Sequence, residues 1–394
     1  MAGPLTGVRV LDLSRLVAGA ALGMSLADFG ADVVKVEQPG RGDPLRTWTT
    51  GGQPFWWRVY GRNKRSITLN LGTTRGRELL KRLVPRFDVL VESFVPGKLE
   101  SWGLGPETLH AWHPGLIVVR ISAWGQDGPY RDRPGFGTLV EAASGLAAMS
   151  GEPDSPPLVP PFPMADMYAA LYAANAILMT LYDRDVHGGK GQTIDVSLFE
   201  ALFSVLGPLA AEYDTLGQVR PRQGARSRNS APRGVYQTAD GGHLAVSAST
   251  PDTAERFLRA YDLGDLLSDP RFATNGARVD NAAALDALVA EAIASRTLAE
   301  NQEIVERHRL TAVPVQTIAD INRDPHWQSR GLTVDVSDED GTVRMHRPVP
   351  RLSATEAEIQ WPGPRLGAHN HEIYGRELGI LPEELERLQR EGVI

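Results

Sequence analysis

Residues 163–170 read P-M-A-D-M-Y-A-A, and an apolar stretch, L-Y-A-A-N-A-I-L-M-T-L-Y, follows before the next acid. The one carboxylate at its head, Asp166, is the residue with the clearest chemical potential. A buried carboxylate is costly unless it is paired, hydrogen-bonded or neutralised, so something must compensate it. As an N-cap it accepts backbone N–H bonds at the start of a buried helix. The same helix N-terminus favours the anion at neutral pH, the state a carboxylate nucleophile requires, so the two roles are compatible. Other nucleophiles are scarce. The 394 residues contain no cysteine, which excludes a thiolate, a disulfide and a Cys-ligated metal, and no G-x-S-x-G elbow is present.

Two basic stretches could hold a phosphorylated ligand. G-R-N-K-R-S-I-T-L-N-L, from Gly61, places Arg62, Lys64 and Arg65 before a strand, and R-G-D-P-L-R adds Arg41 and Arg46 after another. Loops at strand ends are where open α/β sheets bind ligands, and guanidinium groups suit phosphate; on charge alone, ordinary surface arginines fit equally well. Other patterns carry less. G-G-K-G-Q at Gly188 lacks the Walker spacing and its Ser or Thr, and reads as a turn. His369 and His371 flank Asn370 without a third ligand, so no metal site is expected. A-G-A-A-L-G, from Ala18, lacks the first glycine of the dinucleotide fingerprint, which leaves a nicotinamide cofactor unsupported.

The elements that must position Asp166 follow from periodicity. Val8–Leu13, Ala31–Glu37, Ser66–Leu71, Val89–Glu92, Leu116–Ser122 and Thr193–Ser197 read as strands. Helices are expected at Leu16–Phe29, at Arg75–Val84 and from Asp166 to about Arg184. Strand, helix, strand at the start is the opening of a Rossmann-like parallel sheet. The length predicts two domains. Around 217–234 the chain turns into Q-V-R-P-R-Q-G-A-R-S-R-N-S-A-P-R-G, a linker and mobile loop. A smaller domain follows, with strands at Val235–Gln237 and His243–Ser247 and helices over much of 253–307, and the chain closes with a helix at Glu383–Arg390.

Composition bounds the class. Hydrophobic residues make up 42% and charged residues 23%, as in an ordinary soluble enzyme. The longest apolar run, Met167–Tyr182, is shorter than a membrane span and is interrupted by Asn175 and Thr180, so no membrane partner is expected. The N-terminus carries no secretory pattern, which predicts a cytoplasmic protein. A net charge of −7 argues against nucleic acid as a partner.

Taken in order, these segments resemble the class III CoA-transferases, the CaiB/BaiF family, along essentially the whole chain. The resemblance rests on G-V-R-V-L-D-L-S at Gly7, L-A-D-F-G-A-D-V-V-K-V-E at Leu26, G-D-P-L-R at Gly42 and R-N-K-R-S-I-T-L at Arg62. V-E-S-F-V-P-G-K at Val91, G-P-Y-R-D-R-P-G-F at Gly128, G-K-G-Q-T-I-D-V-S-L at Gly189 and T-A-D-G-G-H at Thr238 continue it. The resemblance implies that Asp166 is the nucleophile. It attacks a donor acyl-CoA to give a mixed anhydride, is converted to an aspartyl-CoA thioester, and passes CoA to an acceptor carboxylic acid through a second anhydride. Coenzyme A is then a carrier substrate, with no resident cofactor.

By position the family implies CoA contacts from Leu16, Val17, Ala18, Gln38, Leu69, Ser93, Phe94 and Phe136. Where some members have basic residues for the CoA phosphates, this chain has Gln38, Gly72, Ser101 and Pro134, and A-G-P becomes Ala18, Gly19, Ala20. That leaves Arg41, Arg65 and Arg131 as the phosphate candidates. The implied architecture is α/β: a Rossmann-like large domain, a smaller α+β domain and long linkers, in an interlocked homodimer. The boundaries expected are 1–205 for the first part of the large domain, 206–234 for a linker and mobile loop, and 235–321 for the small domain. A second linker at 322–335 and a return to the large domain with the C-terminal helix at 336–394 complete it.

Two other functions are open. A 2-methylacyl-CoA racemase shares the fold but moves a proton at Cα between an Asp and a His; at the histidine position stands Phe136, followed by Gly137. A CoA-binding subunit without activity would explain the missing basic residues but not the retained Asp166. The acids exchanged are not readable, although Trp48, Trp56 and Trp57 could line an apolar pocket behind the stiff Pro156, Pro157, Pro160 and Pro161 segment.

Overall fold

The computed structural model describes residues 3–394; Met1 and Ala2, the first residues of the expected 1–205 domain, lie outside it. The chain divides into two units. The first comprises residues 3–146, 159–208 and 331–394, the second residues 147–158 and 209–330.

The first unit is built on a six-stranded parallel sheet in the order β3-β2-β1-β4-β5-β6. The strands are β1 (Arg9–Asp12), β2 (Asp32–Glu37), β3 (Lys64–Thr68), β4 (Val89–Glu92), β5 (Ile117–Ser122) and β6 (Thr193–Ser197). The inner strands are near-continuous Val, Leu and Ile because both faces are covered. Alternate residues serve opposite sides: Val10, Val33, Val89 and Val119 face one core, while Leu11, Val34, Leu90 and Val118 face the other. On the first face lie the helix Leu16–Asp28 and the long helix Met164–His187; the second core includes Leu79 and Leu80 of the helix Thr74–Leu83 and Leu385 and Leu388 of the closing helix Pro382–Arg390.

The order 3-2-1-4-5-6 reverses direction between β1 and β4, the kind of switch point at whose carboxyl ends open α/β sheets bind ligands. The loops after β1 and β4 meet there, joined by the Arg15 N–H, which donates to Ser93 Oγ at 2.9 Å.

The long helix is 24 residues and apolar enough, by length and composition, to cross a membrane. Here it packs Ala165, Ala169, Ala170, Ala173, Ile177 and Leu181 into the core of the first unit. Its other side shows Leu171, Tyr172, Leu178, Met179, Tyr182 and Val186 exposed.

The second unit has a three-stranded antiparallel sheet, Arg233–Gln237, His243–Ser247 and Ala312–Pro314 in that order, covered by helices Pro251–Ala260, Ala282–Ala294 and Leu298–His308. Tyr236, Leu244, Val246, Phe257, Phe272 and Val289 make its core.

Two local expectations change. Strand β3 starts at Lys64 rather than Ser66, because Lys64 and Arg65 pair in register with Val33 and Val34 and their charged ends find carboxylates. The connections at about 205–234 and 322–335 are not wholly unstructured: Leu209–Leu216 and Pro325–Ser329 are helical. The second is started by Asp324, whose carboxylate accepts the His326 and Trp327 N–H groups.

Candidate active site

Asp166 does not cap its helix. The N-cap is Pro163, and Asp166 is the third helical residue. From there its own backbone N–H and that of Ala18 act on its carboxylate and favour the charged form. Ala18 lies in the first turn of the helix Leu16–Asp28, where N–H groups have no partner within the helix. Two helix N-termini thus converge on one carboxylate, and both dipoles favour the anion.

The entry into the first helix is tightly specified. Leu16 adopts a left-handed φ of 62°, unusual for a residue with a branched side chain, and its N–H donates to Asp43 Oδ1 at 3.1 Å. Val17 packs with Ala20 and Leu45 beside Trp56, Tyr60 and Met167, the residue next to the nucleophile candidate.

Gly137 completes the wall. A Cβ there would stand 2.2 Å from Asp166 Oδ2, so only glycine lets the carboxylate lie against the backbone. Gly137 opens the short helix Gly137–Ala143, capped by the exposed Phe136. On the same helix the buried Glu141 accepts the Ala165 N–H at 3.1 Å.

Burial pushes the Asp166 carboxyl up to about 6; the Ala18 N–H opposes the rise, the nearby Glu141 charge adds to it, and its own N–H opposes it again. Desolvation thus outweighs the N–H groups. A carboxyl of that basicity is still roughly nine-tenths ionised at pH 7, which makes it a stronger nucleophile than a solvent-exposed aspartate.

The other expected contacts divide by place. Leu16, Val17 and Ala18 follow β1, and Ser93 and Phe94 follow β4, so these five lie at the carboxyl ends of the two strands that flank the switch point. Phe94 packs edge-on against Trp102, with ring centroids 5.4 Å apart. Gln38 and Arg41 form an exposed turn after β2, in which the Gln38 carbonyl accepts the Arg41 N–H. Leu69 follows β3 but is buried in the core. Arg131 is exposed, beside Asp132 and close to Gly97.

Arg65 is placed elsewhere. It sits toward the amino end of the sheet, where its guanidinium is engaged by Asp32, Glu372 and Glu377. Its neighbours are likewise occupied: Arg62 is buried on Asp28, and Lys64 lies beneath the first helix on Asp12 and the Ala20 carbonyl. Gly23 makes room for that lysine, since a Cβ there would come within 2.8 Å of Nζ. Trp57 is core, under the Arg46 guanidinium, whereas Trp48 and Trp56 meet edge to face and are more open.

His369 accepts the Ser66 N–H through Nδ1. Among the described residues no group of three or more metal-ligating side chains comes together. Two features escaped the sequence reading: the Ala18 N–H, a backbone group with no side-chain signature, and Glu141, one acid within G-T-L-V-E-A-A.

A half-buried, basic carboxylate beside helix N-termini at the switch point of an α/β sheet is equipped to attack a carbonyl. Comparison with known proteins bears on which one. Residues 5–370 match the model of CoA-transferase family III. The chain is 42% identical to a succinyl-CoA–D-citramalate CoA-transferase of Chloroflexus aurantiacus, over 99% of this chain and 98% of that protein. It is 34% identical to a succinate–glutarate CoA-transferase of Agrobacterium fabrum, over 98% and 97%. A CaiB/BaiF family protein from Brucella suis superposes with a TM-score of 0.83 at 34% identity, covering 95% of this chain and all of that one. Rv3272 from Mycobacterium tuberculosis gives 0.84 at 30% identity, over 94% and 98%.

Proposed function

Since the chain belongs to CoA-transferase family III and moves CoA between an acyl-CoA and a carboxylic acid, we propose that Asp166 carries that transfer as a covalent nucleophile. An Asp166 oxygen attacks the thioester carbon and CoA leaves as the thiolate, giving a mixed anhydride. The thiolate attacks the Asp166 carbonyl carbon, the donor acid departs as a carboxylate, and an aspartyl-CoA thioester remains. The acceptor carboxylate then attacks this thioester and expels the thiolate, which finally attacks the acceptor's acyl carbon and releases Asp166. No proton is gained or lost, and each step is easier than direct exchange. The single observation that supports this reading is the Asp166 carboxylate lying between the Ala18 N–H and Gly137, desolvated enough to be basic. The same Ala18 N–H would stabilise charge that develops on the aspartyl carbonyl.

CoA lies at the switch point against Leu16, Val17, Ala18, Ser93 and Phe94, with its phosphates toward Arg41 and Arg131; Arg65 is already neutralised by three carboxylates. The acids exchanged are short dicarboxylates, by similarity to relatives named for succinyl-CoA, citramalate and glutarate. No metal or resident cofactor takes part, and the enzyme works in the cytoplasm without a membrane or nucleic-acid partner. Two copies form an interlocked homodimer, a reading supported by the exposed Leu171, Leu178, Met179 and Tyr182 on the long helix.

Racemisation is disfavoured by the site. Phe136 and Gly137 have no proton to move, and Glu141 is buried against the helix of Asp166 itself. The test is enzyme in D2O with a 2-methylacyl-CoA. Transfer predicts an unexchanged Cα–H and CoA movement only when a second acid is added. Rapid deuterium uptake at Cα without acyl exchange establishes the racemase instead.

A further inference from the structure

Glu141 has no place in the steps above, yet it is 1% exposed. Burying a carboxylate is costly unless something compensates it. Among the described residues no lysine, arginine or histidine forms an ion pair with it; its Oε1 accepts the Ala165 N–H at 3.1 Å. Ala165 is the second residue of the long helix, so this N–H has no partner within the helix. The next residue is Asp166. Moreover, the point that a Gly137 Cβ would occupy lies 2.2 Å from Asp166 Oδ2 and 3.8 Å from Glu141 Oε1, so the two carboxylates face each other across one glycine.

An amide or hydroxyl oxygen would receive the Ala165 N–H as well and with less desolvation. The charge therefore has an effect beyond capping, and its nearest recipient is Asp166. We infer that Glu141 is a positioning residue for Asp166: its carboxylate ties down the helix turn that carries the nucleophile and sets a negative charge against it. The inference rests on Asp166 being the nucleophile. Of two carboxylates so placed, one is harder to ionise and correspondingly more basic, and the direction found for Asp166 agrees.

The other charged groups on the surrounding elements are engaged or distant. Asp28, at the far end of the first helix, is bonded to Arg62. Arg120 of β5 is held by Glu92 and Glu100, and Asp195 of β6 accepts the Gln126 N–H. Glu200, on the helix Leu198–Phe203, is exposed, and Asp183, Arg184, Asp185 and His187 occupy the opposite end of the long helix.

The experiment uses the full chain with Glu141→Gln, which keeps an oxygen for Ala165 and removes the charge. In single turnovers with a donor acyl-CoA, the plateau rate should fall several-fold and the acid limb move to lower pH, so that the rate near pH 5 relative to the plateau rises by about twofold or more. Glu141→Asp, which keeps the charge but shortens the reach, should lower the plateau and leave the limb in place. A second readout needs no turnover: Asp166→Asn should stabilise the chain against urea at about pH 8 less in the Glu141→Gln background than in the parent. An unmoved acid limb, equal stabilisation in both backgrounds, or an unchanged plateau in Glu141→Asp overturns the inference. Failure of the nucleophile reading looks different, as full transfer activity in Asp166→Asn with the stability coupling intact.

Discussion

Asp12 and Asp166 are both aspartates withdrawn from bulk water, and both lie near the carboxyl end of the sheet's first strand. Burial pushes the Asp12 carboxyl up, but Lys35, then Lys64 and the Ser14 hydroxyl, reverse this and hold it below the usual range. Both lysines reach it directly, Lys35 at 3.3 Å and Lys64 at 3.1 Å. Among the described residues no cation pairs with Asp166. Its compensation is two backbone N–H groups, opposed by Glu141, and its carboxyl is raised to about 6. The contrast separates two uses of a charge withdrawn from water. Full pairing makes Asp12 an inert anchor that fixes β1, β2 and β3 beneath the first helix. Partial compensation leaves Asp166 basic, and basicity is what a carboxylate nucleophile needs.

The largest effect should come from removing the reactive member. Asp166→Asn leaves an amide that cannot form the anhydride, and transfer activity should fall by about 10³-fold or more, measured as CoA exchange between acids. Removing the anchor should act on stability instead. Asp12→Ala leaves two buried lysines short of a partner and should cost about 3–5 kcal/mol in urea unfolding.

The pH dependences should run in opposite directions. The folded value of Asp166 lies above its ordinary value of 3.8, so its contribution to stability is complete below about pH 4 and is lost as pH rises through about 6. Asp166→Asn should therefore stabilise the protein at about pH 8 by up to about 3 kcal/mol, with no gain below about pH 4. For Asp12 the folded value is depressed, so its stabilisation is present above the ordinary aspartate value and is lost as pH falls. Asp12→Asn should cost most at neutral pH and progressively less in acid. The smallest effect belongs to Gly137→Ala. Its Cβ would meet Asp166 Oδ2, and the displaced carboxylate should lower kcat about 10–100-fold with little change in unfolding midpoint.

The strands were legible because buried parallel strands are written as near-continuous apolar runs, and Asp166 was legible because one acid stands at the head of an apolar helix. The compensation was not. Ala18 acts through its backbone, and Glu141 bonds to a backbone N–H 24 residues away, so neither leaves a pattern in residue type or spacing. The block Arg62-Asn63-Lys64-Arg65 misled in the other direction. Its charges resemble a phosphate site, yet each meets a carboxylate, Asp28, Asp12 or Asp32, brought by another element. Gly23, opposite Lys64, was the one local hint, since a helix over a buried lysine needs a gap there.

The central claim, that the partly compensated carboxylate is the one that reacts, is tested most directly by trapping it. The enzyme is mixed with a donor acyl-CoA and no acceptor, quenched with hydroxylamine or borohydride, and the modified peptide is mapped by mass. The account predicts modification at Asp166, abolished in Asp166→Asn and absent from Asp12. Modification at another residue, or sustained CoA transfer with Asp166 never modified, would contradict it.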